Sequence, residues 1–347
     1  MHTSSHYLKI MKAVGYRQSL PSEHPESLID FVAAEPTASA NDVLVEVKAV
    51  AVNPVDTKMR MRSVPTAGET KILGWDAAGI VKSVGSAVTL FKPGDRVWYA
   101  GSIARAGCNS EFHVVDERIV GHMPTSLDFA QAAALPLTSI TAWELLFDRL
   151  GIALDQTDRG ESLLVIGAAG GVGSILIQLA RQLTGLKVIG TASREATREW
   201  VRSLGAHEVI DHTKPLADEL KRIGHPAVTH VASLTQTDQH FMQIVEALAP
   251  QGKLALIDDP KPIDVMQLKR KSLSLHWELM FTRSLFATPD MIEQHRLLSK
   301  VASLVDQGFV RTTMGEQFGV INAANLRRAH AFLETGRAQG KIVLEGL

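Results

Sequence analysis

The stretch Ser162-Leu163-Leu164-Val165-Ile166, running directly into Gly167-Ala168-Ala169-Gly170-Gly171-Val172-Gly173, decides how this chain is read. An uninterrupted apolar run rich in branched residues has the character of a parallel strand buried on both faces. The glycines after it permit a tight turn in which backbone N–H groups approach a pyrophosphate at a helix N-terminus. The strict G-x-G-x-x-G pattern is not met, because Ala168 stands where its first glycine would fall, so the surrounding sequence must carry the inference. Ile175, Leu179 and Leu183 then fall on one helical face, Gly185 supplies a stop, and Leu186 to Thr191 reads as a second strand. This order predicts a dinucleotide site with Gly170, Gly171, Val172 and Gly173 at the pyrophosphate; a purely structural βαβ unit is the alternative.

The end of the second strand bears on which dinucleotide binds. An NAD site commonly places Asp or Glu roughly 20 residues beyond the glycines, where it holds the ribose hydroxyls and repels a 2′-phosphate. Here the residues are Thr191-Ala192-Ser193-Arg194, with no acid at the tip. A hydroxyl and a guanidinium suit a phosphate dianion, so Ser193 and Arg194 point to NADPH. Arg198, one turn further on, either adds charge or is simply solvated. Ser233, ending the strand Val228 to Ala232, lies where open parallel sheets bind ligands, outside the carboxyl ends of strands.

The 347 residues allow two domains, and 45% hydrophobic with 21% charged content is ordinary for a globular chain. A net charge of -1 gives no reason to expect nucleic acid or an anionic membrane as partner. No apolar run approaches the length of a membrane span and no signal-peptide core opens the chain, so the expected location is cytoplasmic. The single cysteine, Cys108, rules out an intramolecular disulfide and any site needing several thiolates. The 13 histidines are scattered and form no H-E-x-x-H or comparable ligand pair.

Residues 1–10 read as an extension before a first strand at Met11. Val43 to Val52, Asp76 to Val84 and Asp95 to Tyr99 read as strands punctuated by Gly85, Pro93 and Gly94, which implies a β-domain. From Phe129 the pattern becomes alternating strands and helices, with Glu208 to Ile210, Val228 to Ala232 and Lys253 to Ile257 as further strands. That is the rhythm of an α/β doubly wound parallel sheet. Thr288-Pro289-Asp290 offers a later helix start, Asn325 to Thr335 another helix, and Lys341 to Leu344 a last strand.

Several stretches now carry a resemblance: Ala51-Val52-Asn53-Pro54-Val55-Asp56, Gly74-Trp75-Asp76-Ala77-Ala78-Gly79, Phe91-Lys92-Pro93-Gly94-Asp95-Arg96-Val97, the glycine turn, and Gly340-Lys341-Ile342-Val343-Leu344. From Met11 to Leu347 the chain resembles the medium-chain dehydrogenase/reductase superfamily, in particular its zinc-free quinone oxidoreductase branch, and bacterial proteins labelled as a zinc-binding alcohol dehydrogenase family. The resemblance implies a GroES-like β-domain of residues 11–136 and 289–347 with a Rossmann domain of residues 137–288 inserted, usually as a homodimer. In zinc alcohol dehydrogenases the matching motifs are Cys-x-Ser/Thr-Asp and Gly-His-Glu. Here the thiolate position holds Asn53, the imidazole position Trp75 and the third ligand position Leu137, while the proton-relay hydroxyl is replaced by Val55. Amide, indole and alkyl groups do not replace thiolate and imidazole on Zn²⁺, so no metal site is expected.

Without a Lewis acid or relay, oxidising an unactivated alcohol lacks its main electrostatic help. The expected reaction is hydride transfer from NADPH to a small quinone or α,β-unsaturated carbonyl, whose product anion needs hydrogen-bond donors and a proton. The alternatives are a zinc-dependent alcohol dehydrogenase and an NADPH-binding sensor or structural protein with weak catalysis. By resemblance, Asn53 would donate an amide hydrogen bond near nicotinamide or substrate, unless it is only a turn residue. Asp56 would orient neighbours or pair with Arg60, Thr141 would sit beside the nicotinamide, and Tyr99 would face the cleft as a proton donor unless it only packs. His212 stands where related reductases have a tyrosine at the adenosine phosphate, and Arg337 resembles an arginine that reaches the cofactor, its alternative being a charge in the last turn of a helix. Leu275-His276-Trp277 reads either as an edge strand or as a cover for the nicotinamide.

Overall fold

In the computed structural model, which describes residues 9–347, the apolar run before the glycine turn is a strand with every residue buried. The chain divides into two units: residues up to Leu137 with Phe281–Asp306 and Met314–Leu347, and Thr138–Met280 with Gln307–Thr313. The return to the first unit thus falls at Phe281 rather than 289, and a short segment after Asp306 packs with the second unit. Most of the expected extension lies outside the described residues, and its Ile10 already belongs to the first strand.

The first unit opens with β1 (Ile10–Tyr16), β2 (Ile29–Ala34), β3 (Asp42–Val52), β4 (Lys71–Ile72), β5 (Ala77–Val84), β6 (Arg96–Tyr99), β7 (Phe112–Asp116) and β8 (Val120–His122). Between β3 and β4, Asn53-Pro54-Val55-Asp56, read above only as a motif, starts a helix, α1 (Pro54–Arg62). The signals for it are local: Asn at the cap, Pro at the first position, and an Asp at the third whose Oδ2 accepts from Asn53 N at 2.7 Å. Two further helices, α2 (Phe129–Ala133) and α3 (Pro136–Trp143), lead into the second unit.

There the strands β9 (Ser162–Ile166), β10 (Lys187–Thr191), β11 (Glu208–Ile210), β12 (Val228–Ser233), β13 (Leu248–Leu256) and β14 (Ser274–Trp277) form one parallel sheet in the order β11-β10-β9-β12-β13-β14. The order reverses direction between β9 and β12, which is the topological switch point of a doubly wound sheet. Helices α4 (Gly171–Leu183), α5 (Glu195–Ser203), α6 (Leu216–Arg222) and α7 (Thr237–Ala247) connect the strands. Leu164, Ile166, Ile189, Ile210, Val231, Leu254 and Leu256 form the core with Phe241 and Ile244. Although α4 was expected to bury one stripe, Gly173–Ala180 is buried on every side, as suits the first helix of such a sheet.

The chain then returns through α8 (Thr282–Leu285), α9 (Glu293–Asp306), β15 (Met314–Gln317), α10 (Ala323–Glu334) and β16 (Lys341–Glu345). Thr288-Pro289-Asp290 makes turns ahead of α9, with Met291 N on Thr288 O at 3.1 Å, and the regular helix starts at Glu293. β16 completes a seven-stranded sheet in the order β15-β16-β3-β5-β6-β8, with β7 also on β3; a second sheet has the order β2-β1-β4. β3 is central because β7 pairs with its start, Asp42–Glu46, and β16 with its end, Ala49–Val52.

Two glycines set the turn after β9. Gly167 has φ +84, a region L side chains rarely adopt. A Cβ on Gly173 would lie 2.5 Å from the carbonyl oxygens of both Gly167 and Ala168, so α4 starts against the strand only because that atom is missing. Gly173→Ala is expected to lower stability by about 1–3 kcal/mol through overpacking, despite the helix propensity gained. Urea unfolding checks this, and unchanged or increased stability contradicts the close approach.

Candidate functional site

Strand register assembles a buried polar cluster in the first unit. Ile342 pairs with Val52, so in these antiparallel strands the preceding Lys341 comes opposite the following Asn53. Ala77 pairs with Val50 and Ala51 N donates to Asp76 O at 3.0 Å, which brings Asp76 alongside. Asp76 Oδ2 then lies 3.0 Å from Asn53 Nδ2 and 3.1 Å from Lys341 Nζ, and Oδ1 accepts from Leu137 N at 3.0 Å. Lys341 also donates to Val52 O at 3.1 Å and to Asn53 Oδ1. The chemistry fixes the carboxamide: an ammonium must meet its oxygen and a carboxylate its nitrogen. Asp76, Asn53 and Lys341 are 0%, 1% and 3% exposed. Burial raises the Asp76 carboxyl above its ordinary range, and Lys341 is the main opposing influence.

Asp56 joins the cluster from α1. Its Oδ2 holds Asn53 N, while Oδ1 is buried without a partner. Burial pushes this carboxyl up to about 7, against the Asn53 amide and the charge of Lys341. The expected pairing with Arg60 is not made. That guanidinium turns to Leu20 O at 3.1 Å, to His330 Nδ1 at 2.7 Å and to Glu334, all away from Asp56.

The three positions where zinc alcohol dehydrogenases hold ligands do not fit a zinc ion. Asn53 has its oxygen on Lys341 and its nitrogen on Asp76. Trp75 donates Nε1–H to Ser102 O at 3.1 Å and meets Phe281 edge to face at 6.4 Å. Leu137 has an alkyl side chain and gives its backbone N–H to Asp76, and a lysine ammonium beside Asn53 repels a dication. Among the described residues there is no group of three His, Cys, Asp or Glu side chains arranged to hold a metal.

Tyr99 requires a correction, because it does not face a cleft. It is 0% exposed, and its hydroxyl lies 3.0 Å from His113 Nδ1. His113 Nε2 is 2.9 Å from Ala106 O, so that nitrogen carries the proton and Nδ1 accepts from Tyr99. Burial lowers the His113 pKa to about 4, which keeps the ring neutral, and raises the tyrosine well above its usual value. The hydroxyl proton is therefore committed to an internal pair. Asn53, expected to donate to nicotinamide or substrate, likewise directs its amide to Asp76. Thr141 lies in α3 of the second unit, 4% exposed.

On the parallel sheet, Gly170 caps α4 with no side-chain cap, and a Cβ there would meet only Gly167 O at 3.5 Å. That open helix N-terminus fits a pyrophosphate. Ser193 and Arg194 are exposed beyond β10, with Arg194 at the N-cap of α5. Arg198 is tied to Asp211 at 3.2 Å, so its charge is already partly met. His212 is half-buried, 6.2 Å from the ring of His240, and burial lowers its pKa. Ser233 is wholly buried at the end of β12; its hydroxyl meets Thr237 Oγ1 at 2.7 Å, and that hydroxyl donates to Asp258 at 2.6 Å. These bonds tie the end of β12 to the start of α7 and to Asp258. Arg337 is exposed in the first unit, beyond the end of α10. Lys341 and Asp76 had been read only as parts of motifs, because nothing local in either stretch marks a partner 265 positions away.

Two family models match, "Alcohol dehydrogenase GroES-like domain" over residues 39–132 and "Zinc-binding dehydrogenase" over residues 204–344. A "Zinc-type alcohol dehydrogenase-like protein" of Staphylococcus epidermidis is 37% identical over 336 residues, covering 96% of this chain and 99% of that protein. A solved Rhizobium etli structure, named as a candidate zinc-dependent alcohol dehydrogenase, has 56% identity and a TM-score of 0.95, covering 98% of this chain and 99% of that one. The Escherichia coli quinone oxidoreductase, solved in complex with NADPH, has 28% identity and a TM-score of 0.81, covering 96% and 99%.

Removing one partner of a buried ion pair costs far more than removing both. Lys341→Met is expected to lose about 3–5 kcal/mol of stability and Lys341→Met/Asp76→Asn to recover most of it; additive losses in denaturant unfolding contradict the pairing. For Asp56 the sign is opposite to that of an ordinary salt-bridged acid. The folded carboxyl keeps its proton to about pH 7, whereas the unfolded one releases it near 3.8. Its contribution is thus greatest below pH 4 and falls as pH rises through 7. Asp56→Asn should flatten the Tm profile across that window, and parallel profiles rule the raised carboxyl out.

Proposed function

The chain belongs to the medium-chain dehydrogenase/reductase superfamily, and from that premise we propose that it is an NADPH-dependent, metal-free reductase of quinones or α,β-unsaturated carbonyls. The observation that carries this reading is the Asp76–Lys341 pair, which binds Asn53 and the Leu137 amide into a closed set of internal hydrogen bonds. Those are the positions a zinc enzyme keeps for its metal, and this donor set suits an ammonium instead. The Escherichia coli quinone oxidoreductase complexed with NADPH supports the acceptor class and the cofactor.

The open start of α4 and the Gly170–Gly173 backbone would hold the pyrophosphate, and Ser193 with Arg194 the 2′-phosphate. NADPH, when bound, supplies a hydride to an electron-poor carbon. This chain supplies what the product anion then needs. Lys341, paired with Asp76, would hold the Asn53 carboxamide in one orientation beside the place where an enolate or hydroquinone anion forms. Asp56 retains a proton close to neutral pH in the same cluster. Thr141 would sit beside the nicotinamide, as the resemblance implies.

A homodimer in the cytoplasm completes the reading. β14 is an outer strand of the parallel sheet and carries a Trp277 that is 54% exposed, a free edge suited to a second copy. Among the described residues no helix is long and apolar enough to cross a membrane.

Steady-state assays of NADPH with a panel of quinones and enones, run beside metal analysis of the purified protein, test the proposal. Turnover is expected with substoichiometric zinc and without gain on adding it; turnover only with zinc returns the chain to the alcohol dehydrogenases. Arg194→Ala should lower kcat/KM for NADPH by about 10- to 100-fold and leave NADH nearly unaffected. Equal losses with both cofactors contradict the 2′-phosphate assignment.

A further inference from the structure

A second buried acid lies in the parallel-sheet unit, where the reaction read above makes no use of it. Glu278 follows β14 directly, and its N–H continues the ladder to Leu256 O at 3.0 Å. Its side chain is 0% exposed. Oε2 accepts from Arg149 Nε at 2.9 Å, Oε1 is buried without an ordinary donor, and the carboxyl of Glu144, itself 1% exposed, lies against the same side chain. Two carboxyls in contact and out of water do not both ionise. Burial and the Glu144 carboxyl together hold Glu278 protonated far above the usual carboxylate range, with Arg149 opposing. The charged groups that act on it are Glu144 and Arg149, both from the turn Glu144–Arg149; His276 on β14 in turn feels Arg149 and Lys253 of β13, whose Nζ donates to Leu150 O at 2.8 Å.

The backbone that carries Glu144 is unusual. Glu144–Arg149 is a π turn, closed by Leu150 N on Leu145 O at 3.0 Å, and it continues α3 without a break. Such turns carry an extra residue and are frequent at functional sites. Thr141 stands one turn before Glu144 on α3. Glu278 stands at the carboxyl end of β14, the end at which open parallel sheets bind their ligands. The Glu144–Glu278–Arg149 contacts are thus a cross-link between the helix of Thr141 and that end of the sheet.

We propose that Glu144 and Glu278 are positioning residues for hydride transfer: one proton held between their carboxyls locks the π turn, and the Thr141 helix before it, to the carboxyl end of β14. The proposal rests on the reductase reading, and its test separates the two. Glu278→Gln keeps a neutral hydrogen-bonding group between Glu144 and Arg149, whereas Glu278→Ala removes the link. In single-turnover reduction of a quinone by bound NADPH, well below each Tm, Glu278→Ala should slow hydride transfer by about tenfold or more, as small misplacements do. Glu278→Gln should restore it to within about twofold of the parent on the same reasoning, and NADPH affinity should change less than the rate in both.

Stability against pH reads the proton itself. A carboxyl protonated only when folded makes the wild type lose stability as pH rises from about 5 towards 9. Glu278→Gln removes that loss, so the difference in Tm between variant and wild type should grow more positive with pH. Parallel Tm profiles overturn the shared proton, and hydride-transfer rates unchanged in Glu278→Ala overturn the positioning role. If the wild type reduces no acceptor, the reductase reading fails alone. The Tm profiles need no acceptor and still decide the dyad, parallel profiles counting against it.

Discussion

A lysine ammonium and an aspartate carboxylate sealed from solvent are costly unless each finds partners, and the first unit is arranged so that both do. Lys341 is held by Asp76, Asn53 and the carbonyl of Val52, and Asp76 by Lys341, Asn53 and the amide of Leu137. Each desolvated charge therefore meets an opposite charge and neutral dipoles, the condition under which a buried pair is tolerated. The pair also constrains the fold. It is satisfied only if β16 lies beside the end of β3 in one register, since a one-residue slip turns Lys341 to the opposite face. A hydrophobic pair at the same place would tolerate more than one alignment.

This dependence explains what was legible in the sequence. The glycine turn, the strands of the parallel sheet and the order in which they alternate with helices rest on short-range patterns, and local sequence is enough to find them. Asn53-Pro54-Val55-Asp56 was visible twice over, as a family motif and as a helix cap, but only the first was drawn, so α1 was missed. Tyr99 was misplaced for a different reason: its neighbour His113 comes from β7, and nothing near Tyr99 announces it. Lys341 and Asp76 are 265 positions apart. A lysine at the head of an apolar strand looks like any edge charge until the sheet is assembled, so the centre of the candidate site was the part least open to reading.

The same geometry changes the chemical meaning of Asn53. A lone amide could turn either end toward a ligand, whereas here the carboxamide is oriented by a donor on one side and an acceptor on the other. Such an amide orders a charge rather than offering a free N–H. The polarity around it is set by an ammonium that cannot exchange ligands, accept an alkoxide or lower the pKa of bound water, as zinc does. What the paired ammonium does supply is a fixed orientation for the carboxamide. Acceptors whose own conjugation spreads the incoming electron pair demand least from the protein, which is the reason the proposed reading favours quinones and enones over simple ketones.

Placing Asp56 in the same cluster adds a constraint that the ion pair alone would not impose. Asp76 and Lys341 neutralise each other, so a third charge there would stand unbalanced; the Asp56 carboxyl, with one oxygen on the Asn53 amide and the other unpartnered, meets the constraint by keeping its proton. A carboxyl closer to Lys341 would ionise and compete with Asp76 for the ammonium. One with its second oxygen in water would also ionise. The position on the first turn of α1 avoids both, because the cap bond to Asn53 fixes the side chain while burial excludes solvent. The helix cap and the retained proton are therefore one arrangement: the contact that starts α1 is also a contact of the neutral acid held beside a buried cation.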